Sequence, residues 1–357
     1  MEHKTRIKGN VHYVGVNDRN KHRFEGMWPL PYGVSYNSYL IDDEMVALVD
    51  TVDICYFEVY LRKIKQVIGE RPINYLIINH MEPDHSGSIR LIKQHYPEII
   101  IVGNKQTFGM IEGFYGVTGE QYLVKEGDFL ALGHHKLRFY MTPMVHWPET
   151  MMTFDETDGV LFSGDGFGCF GTVDGGFLDT RINVDKYWGE MVRYYSNIVG
   201  KYGSPVQKAL QKLGGLPISA ICSTHGPVWT ENIAKVIGIY DRLSRYDADE
   251  GVVIAYGSMY GNTEQMAEAI AEELSAQGVK NIVMHNVTKS HPSYIIADIF
   301  RYKGLIIGSP TYSNQIFPEV EALLSKILLR EVKGRYLGYF GSFTWAGAAV
   351  KRLAEFA

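Results

Sequence analysis

The chain has 357 residues, enough for two domains that each bury a core, and carries a net charge of −5. Its 46% apolar and 21% charged residues are ordinary for a globular protein. That balance argues against a polyanion-binding surface spread over the whole chain. No apolar run reaches the roughly 18 residues a membrane span requires, and Met1–Arg6 lacks the apolar core of a signal peptide. The three cysteines (Cys55, Cys169, Cys222) form neither a CxxC pair nor an even framework, which points to a reducing, cytoplasmic setting. They are also too few for a four-thiolate iron site, so any such electron carrier is expected to be a separate molecule.

Up to about residue 250, short apolar runs alternate with Gly-rich turns. Strands are expected at Ser38–Ile41, Met45–Val49, Tyr75–Ile78, Ile99–Val102, Leu137–Met141, Met151–Asp155, Gly159–Ser163 and Ala220–Ser223. Helices are expected at Phe57–Ile68, Ser88–His95, Lys186–Val199, Ser204–Leu213 and about Glu231–Tyr246. The mixture predicts a sheet sandwich covered by helices. The acidic break Asp247–Gly251 reads as a linker, dividing the chain into residues 1–249 and 250–357.

The pattern then changes. Val252–Tyr256 is continuously apolar, as in a parallel strand buried on both faces. Further strands at Asn281–Asn286, Gly304–Gly308 and Tyr336–Gly341 alternate with helices at Thr263–Gln277, Pro292–Phe300 and Phe317–Leu328, the signature of a doubly wound parallel sheet.

The strongest chemical signal is His80-Met81-Glu82-Pro83-Asp84-His85, directly after an apolar strand. Three further candidate ligands, His146, Asp165 and His225, also follow apolar strands, where loops converge. Seven side chains exceed what one metal uses, so two metals sharing a carboxylate are expected. A zinc hydrolase of the metallo-β-lactamase fold usually has His where Glu82 stands. A carboxylate there hardens the site and favours iron or manganese, moving the expected chemistry from hydrolysis toward redox. Isolated histidines (His12, His22, His95) read as satisfied core residues, and His134-His135 as an exposed hairpin tip. Trp147 reads equally as a wall of the metal pocket or as core packing, and Cys169 as a small buried apolar residue.

In the second half, Gly257-Ser258-Met259-Tyr260-Gly261-Asn262-Thr263 joins a strand to a helix, giving hydroxyls, amide N–H groups and a helix N-terminus for a phosphate. Two more loops stand at the same sheet edge, one with Pro310, Thr311, Tyr312, Ser313 and Asn314, the other with Ser342, Thr344, Trp345 and Gly347. The first loop holds no Lys or Arg, which disfavours a Walker-type site and fits an FMN phosphate site. Tyr312 and Trp345 are candidates for the flavin ring, with packing on the sheet as the alternative.

In the order and identity of these residues the chain resembles the flavodiiron proteins (A-type flavoproteins). The resemblance covers nearly the whole chain. It implies a metallo-β-lactamase-like αββα sandwich holding two iron ions, then a flavodoxin-like FMN-binding domain. It implies one iron on His80, Glu82 and His146 and a second on Asp84 and His225, with Asp165 bridging; His85 either ligates the second iron or stands beside it as a donor. It also implies reduction of O2 to water or of NO to N2O, a separate electron donor (rubredoxin, another reduced carrier or a deazaflavin) and a head-to-tail homodimer. Flavodoxin-like modules have five strands and only four precede Ala357, so the module is expected to be shortened by its last strand and helix. Two other readings compete: a zinc-dependent hydrolase fused to a flavodoxin-like module, and an electron-transfer flavoprotein with a decayed metal site.

Overall fold

A computed structural model describes residues 5–357; the first four residues of the N-terminal stretch read above lie outside them. The chain forms two compact units. The first comprises residues up to Met191 with Ser204–Asp241, the second Val192–Gly203 with Arg242–Ala357. The sequence reading cuts once, at 249/250. In the structure residues 192–203, inside the stretch read as the helix Lys186–Val199, go with the second unit. That helix runs regularly over Asp185–Tyr194 and widens to a π turn over Tyr195–Val199.

In the first unit, one sheet of seven strands runs β1 (Arg6–Lys8), β2 (Val11–Tyr13), β3 (Tyr39–Ile41), β4 (Ala47–Val49), β5 (Tyr75–Ile77), β6 (Ile100–Gly103) and β7 (Gln121–Leu123). Pairing is antiparallel from β1 to β4 and parallel from β4 to β7. A second sheet of five strands runs β8 (Phe129–Ala131), β9 (Lys136–Met141), β10 (Met151–Asp155), β11 (Val160–Gly164) and β12 (Ala220–Ser223), with only β11 and β12 parallel. Val11, Tyr39, Ile41, Val49, Ile77 and Val102 of the first sheet meet Leu137, Phe139, Met151, Val160, Phe162 and Cys222 of the second in one buried cluster. Burial of such side chains at about 25 cal/mol per Å² is what holds the sheets face to face. The apolar face of the helix Phe57–Ile68 (Phe57, Tyr60, Leu61, Ile64, Ile68) is buried as its periodicity predicts.

In the second unit, β13 (Asp249–Tyr256), β14 (Ile282–Asn286), β15 (Tyr302–Tyr312) and β16 (Tyr336–Ser342) form a parallel sheet in the order β14-β13-β15-β16. This is the doubly wound parallel sheet expected. Beyond Gly308, β15 runs on into a hairpin with Gln315–Ile316, turned by Ser313 and Asn314 with φ of 47° and 58°. Asp249 to Gly251, read as part of a linker, are already in β13. The helix Ala348–Phe356 follows β16, and Ala349 and Leu353 are buried in the core; it was not anticipated, nor were the helix Lys105–Tyr115 and the strands before residue 38.

Three histidine readings are corrected. His22 and His95 are exposed, not core residues. His135 is buried, and its Nδ1 lies 2.9 Å from Asp155 Oδ2; only His134 is exposed at that turn. Partners far along the chain made the difference: Asp43 accepts the backbone N–H of both residues. No helix among the described residues is long and apolar enough to cross a membrane.

Candidate metal centre and flavin cleft

All seven candidate ligands lie just beyond strands of the first unit. The 80–85 cluster follows β5, His146 lies in the turn between β9 and β10, Asp165 follows β11 and His225 follows β12. Because β11 and β12 are parallel and register Gly164 against Ser223, Asp165 and His225 leave the sheet side by side. Pro83 opens a single helical turn, Pro83–Ser86, which brings Asp84 and His85 back toward His80.

The ligand atoms gather in two groups. His80 Nε2 lies 3.4 Å from Glu82 Oε2 and 3.5 Å from Asp165 Oδ2. His146 Nε2 lies 3.2 Å from Glu82 Oε2 and 3.0 Å from Asp165 Oδ2. In the second group His85 Nε2 is 3.3 Å from Asp84 Oδ1 and 3.0 Å from Asp165 Oδ1, and His225 Nε2 is 3.4 Å from Asp84 Oδ2. Asp165 therefore turns one oxygen to each group. His85, uncertain from sequence, has its Nε2 in the second.

The seven side chains are all buried, with Glu82, Asp84 and His146 the least completely so, which places the mouth of the cleft on their side. His80 Nε2, Glu82 Oε2 and both Asp84 oxygens have no hydrogen-bond partner among the described residues. Converging buried lone pairs without donors are costly, and a bound cation relieves that cost. The donor set, four imidazoles and three carboxylates, fits two cations of iron type. Electrostatics agree. Burial opposes charge on the His85 and His146 rings, yet Asp84 and Asp165 raise His85 to about 9, and Asp165 and Glu82 raise His146 to about 9. Burial likewise works against Asp165, which His85 and His80 nevertheless hold well below the usual carboxylate range. The residues thus stabilise concentrated positive charge between the carboxylates.

The surrounding groups were not found from sequence. Glu149 Oε1 lies 2.9 Å from His80 Nδ1, and the Ser35 carbonyl accepts from His225 Nδ1 at 2.7 Å. Asp50 accepts the Asn79 backbone N–H at 2.7 Å, tying the end of β4 to that of β5; burial raises its carboxyl to about 6. Thr224 Oγ1 donates to Asp165 Oδ1. These contacts cross up to 190 positions, and no local pattern announces them. Trp147 stands against His80 (ring centroids 5.3 Å apart, 89° between planes), a wall of the site and not core packing. Phe24, 5.2 Å from the His225 ring, forms another wall.

In the second unit the C-terminal ends of β13, β15 and β16 enclose a cleft of about 580 Å³. Of the residues expected there, Ser258, Met259, Tyr260, Asn262, Thr263, Pro310, Thr311, Tyr312, Ser313, Ser342, Thr344 and Trp345 line it, joined by Phe343 and Ala346, which were not anticipated. Gly261, Asn314 and Gly347 do not line it. Gly261 (φ 89°) and Gly347 cap helices, and Asn314 turns the hairpin. Ser258 Oγ accepts from Gly261 N at 3.1 Å, and Thr263 and Ser342 hydroxyls lie 2.8 Å apart, so hydroxyls from two loops meet at the N-terminus of the helix Asn262–Ala276. Trp345 is 81% exposed and Tyr312 47%; neither ring is packed into the sheet.

Comparison with known proteins agrees with the two-domain fold. The family model for the ODP family beta lactamase matches residues 34–226, and the flavodoxin model matches residues 254–357. The anaerobic nitric oxide reductase flavorubredoxin of Vibrio vulnificus (strain YJ016) is 33% identical over 97% of this chain and 71% of its own length. The chain belongs to the flavodiiron protein family. Among solved flavodiiron structures, the rubredoxin:oxygen oxidoreductase from the anaerobe Desulfovibrio gigas superposes with a TM-score of 0.93 at 32% identity, covering 97% of this chain and 87% of that one. The Giardia intestinalis flavodiiron protein gives 0.93 at 28% identity, covering 97% and 85%. The two-domain α/β architecture expected from sequence, a metallo-β-lactamase-like sandwich followed by a flavodoxin-like sheet, is the architecture of this family.

Proposed function

We propose that the chain is a flavodiiron oxidoreductase that reduces O2 to water, NO to N2O, or both. The carrying observation is Asp165, whose two oxygens face separate ligand groups of matching composition. In this reading His80, Glu82 and His146 would hold one iron, Asp84, His85 and His225 the other, and Asp165 would be shared by both. Bound there, the iron pair would pass electrons from the reduced flavin to the gas, four in all with four protons for O2 and two with two protons for a pair of NO molecules.

The side chains have separable tasks. The Glu149 and Ser35 contacts turn the Nε2 atoms of His80 and His225 inward. Trp147 and Phe24 keep the walls apolar, which admits a small uncharged gas and limits water. The less buried edge at Glu82, Asp84 and His146 is the route for gas and protons. In the second unit the hydroxyls of Ser258, Thr263 and Ser342 with the loop amides would hold the FMN phosphate, and Tyr312 and Trp345 would contact the ring. A separate donor (rubredoxin, another reduced carrier or a deazaflavin) reduces the flavin. A head-to-tail homodimer brings the FMN cleft of one subunit to the metal centre of its partner, and the three free thiols fit a cytoplasmic protein.

The test is metal and flavin content after anaerobic purification from iron-supplied cells, followed by O2 and NO consumption with a reduced donor. Two irons and one FMN per chain with gas consumption are expected. Two zincs without gas consumption would overturn the reading in favour of the hydrolase.

A further inference from the structure

The two ligand groups match in composition, but the groups behind them do not. Each has two imidazoles and one carboxylate of its own and shares Asp165. Behind the first stands Glu149, fully buried, whose Oε1 lies 2.9 Å from both His80 Nδ1 and the Met81 backbone nitrogen. Its Oε2 has no hydrogen-bond partner among the described residues. Behind the second, His225 Nδ1 meets a neutral acceptor, the Ser35 carbonyl, and His85 Nδ1 has no partner among the described residues. Asp50, another buried acid nearby, acts electrostatically more on His85 than on His80, but its carboxylate is hydrogen-bonded to Asn79 and the His80 backbone N–H and to neither ring. Glu149 is itself held in place: Asn104 Nδ2 donates to its carbonyl at 2.6 Å, while Asn104 Oδ1 caps the helix Lys105–Tyr115.

We propose that Glu149 is a positioning residue that fixes the tautomer of His80 and makes the His80–Glu82–His146 group the tighter of the two cation sites. The inference rests on the metal-centre reading above. A cation on Nε2 requires the ring proton on Nδ1, and Glu149 Oε1 accepts that proton. The negative charge behind the ring strengthens Nε2 as a donor, as carboxylate-backed histidines generally do. Among the described residues, the hydrogen bond on the outer nitrogen of His225 goes to the Ser35 carbonyl, and no carboxylate is hydrogen-bonded to that of His85.

The experiment is a Co2+ titration of the full, flavin-loaded chain after chelation, followed by the visible ligand-field bands. Wild type should fill two sites of distinct affinity. Glu149→Gln keeps an acceptor oxygen on His80 without the charge and should weaken the tighter site about tenfold. Glu149→Leu removes both and should weaken it by about a hundredfold, the upper end of such outer contacts. The weaker site should stay unchanged in both variants. Unchanged affinities in Glu149→Gln and Glu149→Leu, or an equal fall at both sites, would overturn the proposal. If Glu149→Leu does not fold, Glu149→Gln decides alone. Co2+ occupancy does not depend on gas turnover, so a chain that binds Co2+ as expected but consumes neither O2 nor NO would defeat the proposed function and leave this inference standing.

Discussion

Gly226, the residue after His225, gives the sharpest quantitative test of how the metal centre is built. Its φ is +81°, and a Cβ placed there would lie 2.2 Å from Cys169 Sγ and 3.3 Å from the Cys169 carbonyl. Its own backbone is fixed on both sides, with N donating to Ser35 Oγ at 2.8 Å and O accepting from Asn37 Nδ2 at 2.8 Å. Gly226→Ala therefore incurs two costs. A side chain in the left-handed region costs about 1–2 kcal/mol, and overpacking a filled interior costs about 1–3 kcal/mol. The sum, about 2–5 kcal/mol, is a large part of the 5–15 kcal/mol of a typical native state. Only the second cost involves Sγ, so in a Cys169→Ala background the penalty should shrink by about 1–3 kcal/mol, a coupling that a double-mutant cycle reads directly. The assay is urea unfolding followed by tryptophan fluorescence. It reports mainly on the first unit, because Trp28, Trp147, Trp188 and Trp229 lie there and only Trp345 lies in the second. A Gly226→Ala penalty below about 0.5 kcal/mol, the scatter of ordinary surface changes, or one that Cys169→Ala leaves untouched, would refute the steric reasoning.

Asp165→Asn should lower bound iron below two per chain and abolish gas reduction while FMN stays bound; full turnover in that variant would remove Asp165 as the bridge. At Gly261 a Cβ would meet nothing within 4 Å, so Gly261→Val acts through its φ of 89° and not by a clash. Flavin per chain should fall with iron unchanged, and undiminished flavin would move the phosphate site elsewhere. For His135, burial opposes charge but the Asp155 hydrogen bond and charge win, so its folded pKa is raised. A raised pKa contributes stability that is fully present below the unfolded value of about 6.5 and is lost as pH rises through the folded value. The stability gap between wild type and His135→Asn should therefore be wider at about pH 5.5 than at about pH 9; an equal gap at both would show that the pair carries no net charge coupling.

The sequence reading reached far because much of this protein's chemistry is local in sequence. Six consecutive residues, His80 to His85, carry four ligands, and a strand end followed by one helical turn suffices to turn them to one side. Apolar runs such as Val252–Tyr256 specify a buried parallel strand through composition alone, and loops at the ends of such strands specify the flavin edge. The strands that are expected lie within a few residues of the observed ones for the same reason, whereas Gln121–Leu123 and Phe129–Ala131 were not anticipated. The N-terminal strands before residue 38 escaped because most are interrupted by polar residues, as in Arg6-Ile7-Lys8, Val16-Asn17-Asp18 and Arg23-Phe24, and show no continuous apolar run. The helix Lys105–Tyr115 escaped because its glycines break the apolar stripe, and its start rests on the Asn104 cap.

What the sequence determined by itself was the chemical type of the ligands, their order along the chain, and the two kinds of sheet that carry them. Which oxygen of Asp165 serves which group, that His85 Nε2 points into the second group, that Glu149 and Ser35 stand behind His80 and His225, and that His135 is buried were decided only in three dimensions. Each depends on hydrogen bonds or ion pairs between residues from 19 to 190 positions apart. Such pairs exist only once sheet register has set the distances, and the desolvation that makes them strong is a property of the closed sandwich, not of any segment of the chain.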